Sequence, residues 1–261
     1  MDRVPASQPL SAIHDRALAR PIDGAYNDLD GLESLVSKSL VRRWGGGRLG
    51  MLDTIREYAV EQVDGSEESA HVRRRHAKYF LAVSQRANLN SGNLGAGGQH
   101  VEIALLEKDN IRAALAWALA NEAVTLAFEI ATAMEQFWVT EDPSEGLRWF
   151  AALFGHPGAE AASPELRAHA LRAYGSAAEI SGDHARAGRL WEQSLSLFEQ
   201  LGDQHGCAVL LHRLGITAQR RGDLVRAREL VEASQAIHEQ NLDWWNVGSC
   251  TDDGNARCDR P

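Results

Sequence analysis

GDHARAGRLWEQSLSLFEQLGD (residues 182–203) returns forty positions later as GDLVRARELVEASQAIHEQNLD (residues 222–243). The register also holds upstream, where Ala168, Leu171, Gly175 and Ala178 match Ala208, Leu211, Gly215 and Ala218. About a third of the positions between 165 and 203 are identical at this offset. Each unit predicts a helix, a tight turn and a second helix. Leu171, Gly175 and Ala178 share one face of the first helix, and the small residues there allow a second helix to approach closely. Gly182-Asp183 supplies the turn: glycine accepts the positive φ of a helix C-terminus, and aspartate caps the next helix. The second helix presents Ala187, Leu190, Trp191 and Phe198.

A helix pair at a fixed period cannot bury its own apolar face, so such units stack into a solenoid. The pattern is tetratricopeptide-like. The fold class expected is mainly α: a winged-helix fragment with a small β-hairpin, followed by a solenoid of such repeats.

The rest of the chain leads into these repeats. Residues 1–27 carry prolines at 5, 9 and 21 and read as irregular, with a short helix around Ser11 to Arg20. Residues 28–64 read as a winged-helix remnant. Leu32, Leu35 and Val36 fall at helical spacing. SLVRRW and RLGML flank Gly45-Gly46-Gly47 as two strands of a hairpin. Thr54 and Glu57 fit a capping box ahead of a helix whose face is Ile55, Tyr58, Ala59 and Val63. Residues 71–156 read as a helical linker region, interrupted by the NLNSGNLGAGG loop (88–98) and by Glu141 to Ser144. Helix resumes there from Val101, with an apolar helix over Thr125 to Trp138 and a short one over Glu145 to Phe154. Residues 165–243 hold the two repeats of forty residues. Residues 244–261 show no helical period and read as a disordered or frameshifted tail.

Composition fits a globular protein: 44% of the 261 residues are apolar and 24% charged. A net charge of −9 argues against non-specific nucleic-acid binding over the whole surface. Three widely spaced cysteines, Cys207, Cys250 and Cys258, suggest neither a disulfide framework nor a zinc site. With no signal-peptide pattern and no apolar run long enough to span a membrane, a cytoplasmic location is expected.

Taken in order, LESLVSKSLV, RLGMLDTIREYA, RRRHAKYFLAV, LEKDNIRAALAWAL, EGLRWF and the two repeats resemble the C-terminal half of bacterial LuxR/MalT-like and SARP-like regulators. These are signal-transduction (STAND) ATPases, some with adenylate cyclase-like domains. In that family an NB-ARC nucleotide-binding domain precedes a winged helix, a helical linker and a tetratricopeptide-type sensor array, and a LuxR-type helix-turn-helix often ends the chain. The resemblance covers roughly Asp28 to Asp243. It implies a non-catalytic interaction and sensor module of a transcriptional regulator, with a protein or small-molecule inducer on the repeat surface and a separate or missing nucleotide-binding domain. DNA binding through the winged helix is the alternative, with Arg42 and Arg43 on the wing. The sequence holds no Gly-x-x-x-x-Gly-Lys-Ser/Thr cradle and no Walker-B strand, and this reads as a truncated piece of such a regulator without cofactor.

The remaining polar residues carry no catalytic or metal-binding spacing. His71 and His76 lie five apart and do not share a helix face. Cys207, near His205 and His212, reads as a small packing residue. LGAGG (94–98) lacks the lysine of a phosphate cradle, and Trp117, Trp138, Trp149 and Trp191 read as core. No catalytic, cofactor or metal residue is assigned. The candidate interaction surface is Arg172, Glu179, His212 and Gln219, which point away from the stripe of Leu171, Gly175 and Ala178.

Overall fold

The computed structural model describes residues 25–43, 49–88 and 97–240. Four expectations lie outside them: the Ser11–Arg20 helix, the Gly45–Gly47 turn, most of the 88–98 loop and the tail from Trp244. The described residues are mainly helical with one two-stranded sheet, and they divide into two units meeting at residues 71 and 72.

The first unit runs α1 (Ala25–Ser37), β1 (Val41–Arg43), β2 (Leu49–Met51) and α2 (Asp53–Asp64). The strands are antiparallel, pairing Val41 with Met51, Arg42 with Gly50 and Arg43 with Leu49. Val41 is inside at 3% exposure, while Arg42, on the opposite face, and Arg43, at the strand's end, are exposed. The capping box is not formed. The helix starts at Asp53, after Leu52 in extended backbone, and no side chain caps it. Thr54 is therefore already inside the first turn, and the acidic Asp53 at its start suits the positive end of the helix dipole. Ile55, Ala59 and Val63 are half-buried, whereas Tyr58 is exposed.

The second unit begins within α3 (Ser69–Asn88). It continues with α4 (Gly97–Ala120), α5 (Val124–Ala133), α6 (Glu135–Thr140), α7 (Pro143–Phe154), a single 3₁₀ turn (Ala159–Ala161), α8 (Pro164–Ile180), α9 (His184–Leu201), α10 (Gln204–Arg220) and α11 (Leu224–Gln240). Gly97 and Gly98 belong to α4, so the helix starts earlier than the glycine-rich loop suggested. Pro143 opens α7 two residues before the expected start: proline suits the first helical position, and Asp142 caps it through Glu145 N–H at 2.8 Å.

The apolar stretch 125–138 is two helices, not one. Backbone dihedrals at Met134 (φ −93°, ψ 11°) depart from helical values. The Trp138 indole N–H donates to the Ala131 carbonyl at 3.0 Å, so a buried side chain ties the two short helices at their junction. Trp138, Phe128, Ile130, Phe150, Leu153 and Tyr174 form the centre of one core cluster. Trp138 and Trp191 are buried, while Trp117 and Trp149 are only half-buried.

Two of the sequence stretches that carry the family resemblance meet in this core. Arg112, from the DNIRAAL run, donates Nε to Glu145 Oε1 at 2.7 Å and Nη2 to Glu145 Oε2. Glu145 opens the EGLRWF run. Trp149 Nε1 adds a third bond to Glu145 at 3.0 Å. A carboxylate only 6% exposed is tolerated because its oxygens are satisfied by charge-assisted bonds. That hydrogen-bonded partner, reinforced by Asp109, raises the Arg112 pKa above the ordinary arginine range.

The repeats pack as α8 with α9 and α10 with α11, and a second core of Ala168, Ala178, Trp191, Phe198, Leu210 and Leu230 runs through both pairs. Full burial of Trp191 and Phe198 contributes roughly 2–3 kcal/mol each. Gly175 is required by contact: a Cβ there would lie inside the Trp191 indole, and one on Gly215 would come within 2.8 Å of Val231. The three turns are built alike. Gly182, Gly202 and Gly222 take φ of 84°, 70° and 82°. The amides of Asp183, Asp203 and Asp223 reach back five residues to Ala178, Phe198 and Ala218. Each aspartate then caps the next helix.

Candidate interaction surface

The first helices of successive hairpins lie along one side of the second unit and are joined there by polar side chains. Glu135, at the start of α6, accepts from Arg172 Nη2 at 2.8 Å and from Ser176 Oγ at 3.1 Å, both on α8. Glu179, two turns on from Arg172, pairs with Arg220 on α10 and lies 2.8 Å from His184 Nδ1. The chain of contacts α6–α8–α10 thus crosses two helix junctions. The carboxylates are well sheltered, each with its side chain 13% exposed.

Of the four candidate residues, Arg172 and Glu179 are engaged in these ion pairs, His212 is half-buried and Gln219 is exposed. All four lie on α8 and α10. Sequence reasoning missed Glu135, Ser176, Arg213 and Arg220. Glu135 is 37 residues from its arginine, in a stretch that read as apolar, and no local spacing signals that pairing.

Arg213, on α10, holds its guanidinium over the ring of Trp191 on α9, 5.6 Å from the centroid. Burial pushes its pKa down. Glu135 and Glu179 act against that shift, and the nearby Arg172 cation adds to it.

The other polar candidates fall away from this side. Cys207 is 4% exposed, and burial, with Glu199 and Asp203 nearby, raises its thiol pKa, opposite to what a reactive thiol needs. His76 packs on Phe80 at 4.6 Å between ring centroids, and its pKa is lowered by burial and by Arg73. His71 is exposed. Among the described residues no group of three or more His, Cys, Asp or Glu is placed to hold a metal ion, and no helix is long and apolar enough to cross a membrane. A crevice of about 340 Å³ opens between α9, α10 and α11, with Leu195, Leu211, Leu214 and Leu230 among its lining residues and Glu192 and Glu199 beside them.

A helical-repeat protein is what these paired helices and their joined face define. Residues 166–240 match the tetratricopeptide repeat family. The chain is also 29% identical, over 92% of its length, to proteins named "Putative HTH-type transcriptional regulator": Mb0914c of Mycobacterium bovis, and MT0914 and Rv0890c of Mycobacterium tuberculosis. It spans 29% of the length of these relatives.

Proposed function

We propose that this chain is a non-catalytic interaction and sensor module of a LuxR-type transcriptional regulator of the signal-transduction ATPase kind. In this reading residues 28–64 form a winged helix, residues 71–156 a helical linker, and the α6–α8–α10 side of the repeats binds a protein or a small inducer. The observation that carries it is the pair of in-register repeats joined across that side by Glu135, Arg172, Glu179 and Arg220, in a chain similar along most of its length to HTH-type regulators. The nucleotide-binding domain of such a regulator is a partner of this module. The module itself works in the cytoplasm without cofactor.

The test uses the purified full chain as bait, with the variant His212→Ala/Gln219→Ala beside it, which leaves Glu135, Arg172, Glu179 and Arg220 in place. A partner retained by the parent, lost by the variant and protecting α8 and α10 from hydrogen exchange supports the reading. Equal retention by both, or tight ATP binding by this chain, overturns it.

The exposed Arg42 and Arg43 on β1 favour a second reading, DNA contact through the hairpin. Phosphate contacts strengthen as salt falls. An electrophoretic shift at low salt, abolished by changing both arginines, would establish it, and no shift there would exclude it.

A further inference from the structure

The charges on the α6–α8–α10 side do not balance. Glu135 and Glu179 face three guanidiniums, those of Arg172, Arg213 and Arg220. Arg172 and Ser176 take the oxygens of Glu135, and Arg220 and His184 take those of Glu179. Arg213 is left over. Among the described residues its guanidinium has no carboxylate within ion-pair distance and donates no hydrogen bond, and its one recorded contact of this kind is the face of Trp191. The neighbouring Arg172 Nε is buried and has no acceptor.

A half-buried cation in no ion pair is unfavourable. Glu135 and Glu179 attract Arg213 and Arg172 repels it, but the oxygens of both carboxylates are already bonded to other donors, so the Arg213 N–H groups have no anionic acceptor of their own. A planar fork held over an indole is also a rigid donor set, suited to two parallel bonds with an oxyanion. The chain as a whole carries −9, so this local excess of positive charge stands against the general field. We propose that Arg213, supported by Arg172, is the recognition point for a compact oxyanion, a carboxylate or a phosphate, carried by the ligand of the repeat face. The inference rests on the interaction-module reading and adds the chemistry of the ligand. An anion docked there supplies the missing acceptor to Arg213 and offsets the repulsion between the two arginines.

The experiment titrates the full chain with sodium phosphate and, separately, with sodium succinate, at ionic strength held constant with sodium chloride. Tryptophan fluorescence is the readout, since the Arg213 guanidinium lies on Trp191. The parent protein gives a saturable change. Arg213→Met, which keeps the stem over the indole, weakens it at least tenfold, and Arg213→Lys gives an intermediate affinity. Phosphate binding more tightly than succinate indicates a phosphorylated ligand, and the reverse indicates an acidic side chain or a chain terminus. If Arg213→Met does not fold, judged by helical circular dichroism, the lysine variant decides: weakened binding supports the site and unchanged binding overturns it. Titrations that coincide for parent and methionine variant, or a parent that never saturates with either anion, also overturn it. Should the anion titration fail while capture still depends on His212 and Gln219, the Arg213 site alone falls. The converse result leaves an anion site and removes the proposed binding surface.

Discussion

Ser194 donates its hydroxyl to the carbonyl oxygen of Ala168 at 2.7 Å, and both residues are fully buried. Forty residues later Ser234 makes the same bond to Ala208 at 2.8 Å. The repeat is therefore conserved in its polar interior as well as in its apolar stripe. A buried hydroxyl fixes how far the second helix of each pair slides along the first, because only one register brings it to an acceptor. Ser194→Ala and Ser234→Ala each remove this bond while leaving the alanine carbonyl within its helix. Each is expected to lower stability by about 1 kcal/mol, measured as a shift in urea midpoint with unchanged slope. Ser194→Leu forces extra volume into a filled site and costs more, about 1–3 kcal/mol.

The turns supply a second prediction. Gly182 has a left-handed φ, so Gly182→Ala is expected to cost about 1–2 kcal/mol. Glu122 has φ 55° at the end of α4, where the Ala123 amide reaches back to Ala118 as the three glycine turns do. A non-glycine residue in that place is strained. Glu122→Gly is therefore expected to be neutral or to raise stability by up to about 1 kcal/mol, although glycine loosens the unfolded chain. The same denaturation series checks both changes: Gly182→Ala should lower stability and Glu122→Gly should not.

Removing one member of the Arg112–Glu145 pair should cost more than removing both. Glu145→Gln leaves Arg112 facing a neutral amide, and Arg112→Met leaves a carboxylate buried with only the Trp149 indole as donor. Each single change is expected to cost about 2–4 kcal/mol, held below the cost in a sealed pair by the third of Arg112 open to water. The double variant should fall well short of the sum, as coupled partners do. Trp149 emission should shift with Glu145→Gln, since its indole N–H loses a charged acceptor.

The repeats and their turns were legible in the sequence because each is a local pattern: the small Gly175 on the first helix's stripe, and Gly182-Asp183 at the turn. The Thr54 capping box was misread because the chain leaves β2 in extended backbone through Leu52, so the helix starts two residues early and Thr54 is inside it. The break at Met134 escaped because apolar periodicity continues across it, and only the Trp138 bond to Ala131 marks the interruption. For the candidate face, helix position predicted that Arg172 and Glu179 lie off the apolar stripe. It gave no sign that both are held by partners 37 and 41 residues away. Long-range ion pairs leave no periodic trace, so Arg213 could not be recognised as the unpaired charge until its neighbours were placed.

Cys207 should be inert until the repeats open. It is 4% exposed in the core shared by α9 and α10, and its thiol pKa is raised. A thiol reagent followed by peptide mass spectrometry is expected to leave Cys207 unmodified in the native chain and to label it rapidly in urea. Rapid native labelling would mean that the second core cluster is not closed.

Acid should weaken the fold through two histidines. His169 has its pKa lowered below the usual 6.5, first by burial and then by the Arg172 cation, with Asp203, Glu165 and Glu135 opposing. It packs edge-on against Phe198, 5.0 Å between centroids. His76 is lowered likewise, by burial and then by Arg73. A histidine whose folded pKa lies below its unfolded value takes up a proton more readily when unfolded. Its contribution is fully present above pH 6.5 and is lost as the pH falls from there through the folded pKa. The melting temperature should therefore drop as the pH falls below about 6.5. His169→Gln, which cannot be protonated, should reduce that drop while leaving helical content at pH 7.5 unchanged. A drop of the same size in the variant would assign the acid sensitivity to other groups.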